Sequence, residues 1–396
     1  MSLARAIRAS VIAGLIAAPM SPAMAEIQWN GFLSVGGGMT FDDDEAFAGY
    51  DNDLSFAPDS ILGLQASSDL GENLSVTGQL VARGSTSDVK AEWLYLSYQF
   101  NPNLRINVGR QRMPLFLYSD YMDVGYAYHF QRPPTSVYLS PINSIDAVSV
   151  LYDRYLTNSL EAKLQLFAGS YQEDGVEYEG KVVDLELTDT AGGSFTLVYD
   201  DWLTFRTVFA QSKVAISGNA AYDNFYNMAA NATDPGLRDF ARAFDGEPVT
   251  YTFAGAAISA ELGNYLFVAE ATDQEMSKTD QKQSTYYVSL ARRFGNLMPY
   301  VTLERNEVHT NNDLYRDIPA TSAENIAART ATEIYMAGND RNEYLYSVGV
   351  RYDFHPSAAL KVQYTHVDDQ RSKFFPEADV TSRDANLISF SIDTVF

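Results

Sequence analysis

Leu160-Glu161-Ala162-Lys163-Leu164-Gln165-Leu166-Phe167-Ala168 places Leu160, Ala162, Leu164, Leu166 and Ala168 on one side of an extended chain, and Glu161, Lys163 and Gln165 on the other. A period of two is the period of a strand, whose successive side chains face opposite sides. The pattern recurs in 74–83, where Leu74, Val76, Gly78, Leu80 and Ala82 oppose Ser75, Thr77, Gln79 and Arg83. It recurs again in 94–100, where Leu94, Leu96, Tyr98 and Phe100 oppose Tyr95, Ser97 and Gln99. Each segment has one oily face and one wet face.

The connections between such segments alternate in length. Seven short turns, rich in Gly, Asn, Asp and Pro, fall at 71–73, 101–103, 157–159, 200–202, 263–264, 295–296 and 355–357. Eight longer polar connections lie near 40–57, 84–89, 113–145, 172–181, 212–249, 273–283, 309–342 and 369–385. Fifteen connections join sixteen strands. A soluble sandwich would turn its apolar faces to a buried core and would show no systematic alternation of long and short connections. An antiparallel transmembrane barrel, apolar outside and polar inside, with short turns at one end and long loops at the other, shows both features. The single aliphatic face also explains a mean hydropathy of only −0.19.

Composition excludes several classes. The 396 residues contain no cysteine, which removes thiol catalysis, iron–sulfur clusters and disulfide scaffolds. A formal charge of −23 argues against a nucleic-acid partner, which needs cationic groups to displace phosphate counterions. Residues 1–25 read as a cleaved export signal: Arg5 and Arg8, an apolar stretch from Ala9 to Ala18, and a small-residue site at Ala23-Met24-Ala25. The mature chain, 26–396, then forms the barrel and carries 26 basic against 51 acidic side chains, a charge of −25. Aromatic residues cluster at strand ends, as in Trp29 and Phe32, Tyr199 and Trp202, or Tyr352 and Phe354, where amphipathic rings sit at headgroup level.

The export signal, the sixteen-strand layout, a terminal strand Asn386–Phe396 ending in Phe, and a long third loop after Val108-Gly109-Arg110-Gln111-Arg112-Met113-Pro114 together resemble the Gram-negative general porins. The resemblance implies an outer-membrane channel for small hydrophilic solutes and ions, assembled as a homotrimer. It also implies that Phe396 is read by the barrel-assembly machinery, and that loop 113–145 folds into the lumen as a constriction. Thr394 stands where an aromatic is often found in that family, and the six-residue connection 84–89 is shorter than its latching loop.

Loop 113–145 is apolar for a solvated segment, with Phe116, Tyr118, Tyr121, Tyr126, Tyr128, Phe130 and Tyr138 beside Asp120, Asp123, Arg132 and Pro133-Pro134. A flap packed on the rim or on a neighbouring subunit is the competing arrangement. Strand alternation points Arg83, Arg105, Lys163, Arg206, Arg351 and Lys361 to the lumen, and a bulge would re-aim Arg110 and Arg112 there too. Asp120 and Asp123 on the loop, set opposite Arg105 and Arg206, would create a transverse field that favours small hydrophilic solutes. Each basic residue also has the plainer reading of a solvated side chain with a local carboxylate, such as Lys163 with Glu161.

No catalytic constellation accompanies the four histidines: neither GxSxG nor HExxH occurs, so the expectation is no enzyme, no cofactor and no metal site. Asp42-Asp43-Asp44-Glu45 lacks the spacing of a calcium loop and reads as a solvated acidic segment, bridged by divalent cations to lipopolysaccharide. Three functions follow, in order: a general diffusion porin, a substrate-selective porin for an anion or nutrient, and a barrel enzyme or adhesin.

Overall fold

The computed structural model describes residues 26–43, 45–86, 88–138, 142–178, 181–218, 227, 230–231, 235–241, 248–277, 281–309, 321–330, 341–370 and 384–396. The signal segment 1–25, half of the connection read at 212–249, and most of those read at 309–342 and 369–385 lie outside the described residues. Sixteen strands follow in chain order: β1 (Ile27–Thr40), β2 (Ile61–Gly71), β3 (Leu74–Arg83), β4 (Val89–Asn101), β5 (Leu104–Arg112), β6 (Ser144–Tyr155), β7 (Leu160–Tyr178) and β8 (Lys181–Tyr199); then β9 (Leu203–Ser217), β10 (Val249–Leu262), β11 (Tyr265–Met276), β12 (Gln281–Arg292), β13 (Leu297–His309), β14 (Arg341–His355), β15 (Ala358–Asp369) and β16 (Ala385–Val395).

Each strand pairs antiparallel with its sequence neighbour, and β1 pairs with β16, so the sheet closes on itself. Closure removes the two open sheet edges, which a bilayer requires because lipid offers no hydrogen-bond partner. At the seam Ser34 stands opposite Asp393 and Gly36 opposite Ser391. Phe396 extends it: Gly31 N–H donates to the Phe396 carbonyl at 2.7 Å, and Phe396 N–H returns to Gly31 at 3.0 Å.

The faces are those the alternation predicts. Leu80, Leu94, Val108, Val148, Leu164 and Leu166 are exposed on the outer wall, whereas Ser97, Asn107, Ser149 and Ser289 are buried on the inner one. The seven short turns stand where the sequence places them. Gly263 and Gly295 adopt φ of +62° and +61° there, a region a Cβ disfavours.

Two connections read as loops are mostly strand. β7 and β8 are 19 residues each, so 172–181 shrinks to the junction of a tall hairpin, and 273–283 is largely taken up by the ends of β11 and β12. Nineteen residues at about 3.3 Å each, tilted about 40°, rise roughly 45 Å against an apolar band of about 25 Å. The outward positions record the exit from lipid. Glu186, Asp273 and Glu275 are exposed on the same face that carries Phe195 and Phe267 lower down, while Val183, Leu185 and Leu187 turn inward and are buried. On β8 the faces are thus exchanged, whereas in 273–283 both faces are polar, with Asp273 and Glu275 outward and Gln274 and Gln283 inward, so that segment looks like loop in sequence although it is mostly strand. By contrast β3 and β5, of 10 and 9 residues, barely span the band and leave a low wall on one side.

Candidate constriction site

The inner wall is chemically two-sided. On β14–β16 and β1–β5 it is polar, with Ser34, Gln79, Ser97, Gln363 and Ser391. On β6–β13 it is largely apolar, with Ile145, Phe167, Leu187, Val208, Phe253 and Val268 buried in one cluster. Those apolar side chains meet the loop after β5. Met113, Leu115, Phe116, Tyr118, Tyr128, Phe130, Val137 and Tyr138 belong to the same cluster. Phe116 packs edge-on to Phe253 at 5.6 Å, and Phe130 to Tyr287 at 5.7 Å. Burying rings of this size is worth about 1.5–3 kcal/mol each, which is why so apolar a loop leaves water for the lumen.

Proline sets the loop's local form. Pro134 O accepts from Val137 and Tyr138 N–H, starting the single-turn helix α1 (Thr135–Tyr138) as a residue without an N–H suits a first turn. Wall carboxylates then anchor the loop. Glu304 on β13 accepts from the N–H of Ser136 at 3.0 Å and from its hydroxyl. Glu270 on β11 accepts from Leu117 N–H and Tyr138 O–H, both at 2.7 Å.

Cations hold the other sides. Arg206 on β9 donates to the Pro114 carbonyl at 2.8 Å. Arg351 on β14 donates to the carbonyls of Tyr126 and Tyr128 at 2.7 and 2.8 Å, and its guanidinium lies 4.7 Å from the Tyr126 ring centre. Arg132 reaches Asp59 at 2.7 Å, in the connection between β1 and β2. The loop is therefore fastened to β9, β11, β13, β14 and the β1–β2 connection, and it crosses the lumen.

The expected transverse field is rearranged. Asp123 does not face Arg105 and Arg206. It is held by Arg83 at 2.8 Å and by Arg112, with Glu92 on the far side of both. Burial alone would raise the Asp123 carboxyl, but Arg112 and Arg83 outweigh it and hold the group below the usual carboxylate range. A register shift between Gln79 and Leu80 turns Glu92 inward, which gathers this quartet at the end of β5. Asp120 is exposed and remains in the field of Arg206.

The other predicted wall residues divide. Arg105 is exposed at the short-turn end, on the lumen side of β5. Lys163 takes Glu161 at 3.1 Å, the plainer of its two readings. Arg110 is a correction: no bulge re-aims it. It shares the outward face of Val108 and pairs with Asp146 at 2.8 and 3.0 Å, so it is not on the lumen side. Tyr126 O–H donates to Pro356 O at 2.6 Å, in the turn between β14 and β15.

Sequence reasoning missed Glu270, Glu304, Asp59 and Asp393. Glu270 had a readable signal, a lone carboxylate at an inward position between Ala269 and Ala271 on an apolar strand. Glu45 of the acidic segment is likewise not simply solvated. It accepts from Asn386 N–H at 2.9 Å and from the Asn386 side chain at 2.8 Å, tying the β1–β2 connection to the head of β16.

The space around the loop is uneven. Against β13–β15, a cavity of about 10 Å³ bordered by Phe130, Arg132, Glu304 and Gln363 leaves room for one water. At the short-turn end, a cavity of about 240 Å³ opens beside Tyr118, Tyr121, Glu261, Arg293 and Arg351.

A family model described as Gram-negative porin matches residues 9–372. Solved structures share the fold at low identity. The loop-deleted OmpT of Vibrio cholerae is 15% identical with a TM-score of 0.57, over 94% of this chain and 100% of that one. The outer-membrane channel DcaP of Acinetobacter baumannii is 13% identical with a TM-score of 0.58, over 96% and 100%. An anion-selective porin from Comamonas acidovorans is 12% identical with a TM-score of 0.54, over 94% and 100%. No curated protein matches the chain. The closed barrel, its inward loop and the match along nearly its whole length make this chain a member of the Gram-negative porin family, an outer-membrane channel for passive diffusion.

Proposed function

We propose that small hydrophilic solutes and ions pass through the space that loop 113–143 leaves beside Arg206 and Asp120, with weak charge selectivity. One observation carries this reading: the loop is anchored inside the closed barrel on several sides, not laid over its rim. Most charges along it cancel locally. Arg83 and Arg112 offset Glu92 and Asp123, Arg132 offsets Asp59, and Arg293 and Arg351 share Asp353, which leaves one positive charge there. A pore whose charges are paired on its own wall presents little net field to an ion, whatever the −23 of the whole chain. Neither catalysis nor a cofactor enters this reading.

A homotrimer fits, since one related OmpT structure is described as a trimer form. Cleavage after Ala25, insertion by the barrel-assembly machinery through Phe396, and lipopolysaccharide around the outer wall complete the proposal. Planar-bilayer recording tests it. Conductance should be ohmic with a small reversal potential under a salt gradient, and Asp120→Asn should move that potential toward anions. An unmoved reversal potential would place Asp120 off the permeation path. The aromatic and charged lining of the 240 Å³ cavity favours a second reading, selective uptake of a small polar nutrient, which would show as concentration-dependent block by that solute.

A further inference from the structure

The loop meets the barrel seam closely at Gly125. Ser34 and Asp393 face each other across the β1–β16 junction, both inward and both almost wholly buried. Gly125 lies against this pair. A Cβ added there would stand 2.7 Å from Ser34 Oγ and 2.7 Å from Asp393 Cγ, with Asp393 Oδ1 closer still. Gly125 is not among the glycines with positive φ, so its backbone would accept any residue, and the lack of space is what demands glycine.

Asp393 cannot swing aside to make room. Lys361 Nζ holds it at 3.1 Å, and Ser391 O–H donates to it at 2.9 Å. Lys361 is fully buried, and it also donates to the Gly125 carbonyl while its ammonium lies 4.5 Å from the Tyr128 ring centre. A buried ammonium costs several kcal/mol unless each of its donors is met. Here two of the groups that meet it, the Gly125 carbonyl and the Tyr128 ring, come from the loop. Ser389 O–H continues the contact to Gln131 Oε1 at 3.1 Å.

We propose that Gly125 and the Lys361–Asp393 pair form a clasp that sets how deeply loop 113–143 sits, by fastening its turn to the closing seam. The clasp positions the loop and does not hold the wall, whose β15–β16 and β1–β16 ladders are complete without it. It rests on the reading of this loop as the constriction.

Two variants of the full chain, Gly125→Ala and Lys361→Met, test it after reconstitution, with chymotrypsin cleavage of the Tyr-rich stretch 118–130 as a readout independent of conductance. Both barrels should assemble and resist heating in detergent as the wild type does. Both should show a mean conductance altered by roughly twofold, with several levels in place of one, and loop cleavage faster by on the order of tenfold. A variant that assembles with wild-type conductance and cleavage overturns the clasp. So does failure of both variants to assemble, since these residues would then hold the wall. Faster cleavage in both variants beside a silent wild type would uphold the clasp while refuting the channel reading on which its role rests.

Discussion

Replacing Asp123 with asparagine isolates the electrostatic part of loop seating. Arg83 lies 2.8 Å from its Oδ2 and 2.6 Å from Glu92, while Arg112 shares the same oxygen and stands 3.7 Å from Glu92. Two guanidiniums and two carboxylates sum to zero. Asp123→Asn leaves one positive charge in excess beside Arg112, whose side chain is 3% exposed. Removing one partner of a buried pair costs about 3–5 kcal/mol. Arg83, at 25% exposure, can turn toward water, and the asparagine oxygen keeps one acceptor, so about 2–3 kcal/mol is expected here. That is roughly a 30- to 150-fold shift toward the released loop. The loss falls on the loop, because Arg83 and Arg112 belong to strands whose ladders do not involve it. Single-channel recording should show loop-released openings rising by that factor. Adding Arg83→Gln restores neutrality and should recover part of the loss, so the double variant costs less than the sum of the two. Strict additivity, or an Asp123→Asn channel as quiet as wild type, would refute the reasoning.

Leu164→Arg puts a cation on the lipid face at a cost of about 2–4 kcal/mol near the midplane and should depress assembly in outer-membrane fractions, whereas the neighbouring Lys163→Glu should not. Acid should loosen the loop. Burial, with Lys361 and Arg351, lowers His129 to about 3 from its ordinary 6.5, so the released loop binds the proton first and seating weakens as pH falls from 6.5 toward 3. Asp123 acts in the same direction at lower pH, since a depressed carboxyl loses its stabilisation as pH falls through its folded value. Open-channel noise that grows between pH 7.5 and 5 in wild type but not in His129→Gln is the outcome to look for. Gly31→Ala would drive a Cβ into the Phe396 ring and should slow closure of β1 on β16, measured as the rate at which heat-resistant barrel appears on refolding into detergent.

The wall was legible because lipid and water impose one rule on all sixteen strands, and that rule has the period of the strand itself. Leu160–Ala168 shows it almost without interruption, and each short turn announces itself by Gly, Asn, Asp or Pro. Strand ends were less legible where the rule changes. Above the apolar band β8 turns Glu186 outward and Leu185 and Leu187 inward, so alternation persists with its faces exchanged. At the ends of β11 and β12 both faces turn polar, with Asp273 and Glu275 outward and Gln274 and Gln283 inward, and such a stretch passes for loop.

The loop's fate was legible from its rings, since Phe116, Tyr118, Tyr128, Phe130 and Tyr138 cannot all stay in water, but its partners were not. Charge partners are set by three-dimensional reach. Asp123 stands 40 residues from Arg83 and 11 from Arg112, and only a shift of register that turns Glu92 inward brings the quartet together. Arg110 shows the opposite failure. A basic residue in a porin-like strand invites a lumen reading, yet its parity with Val108 sends it outward, where Asp146 is its cross-strand neighbour and meets its charge. Parity decides the face, and a bulge is the exception that has to be observed. Glu270 and Glu304 combine both lessons. Each obeys parity, each is almost wholly buried, which is costly for a carboxylate, and each is met by an N–H and a hydroxyl from the loop. A lone buried carboxylate at an inward position of a barrel strand therefore marks where something inside the lumen must dock.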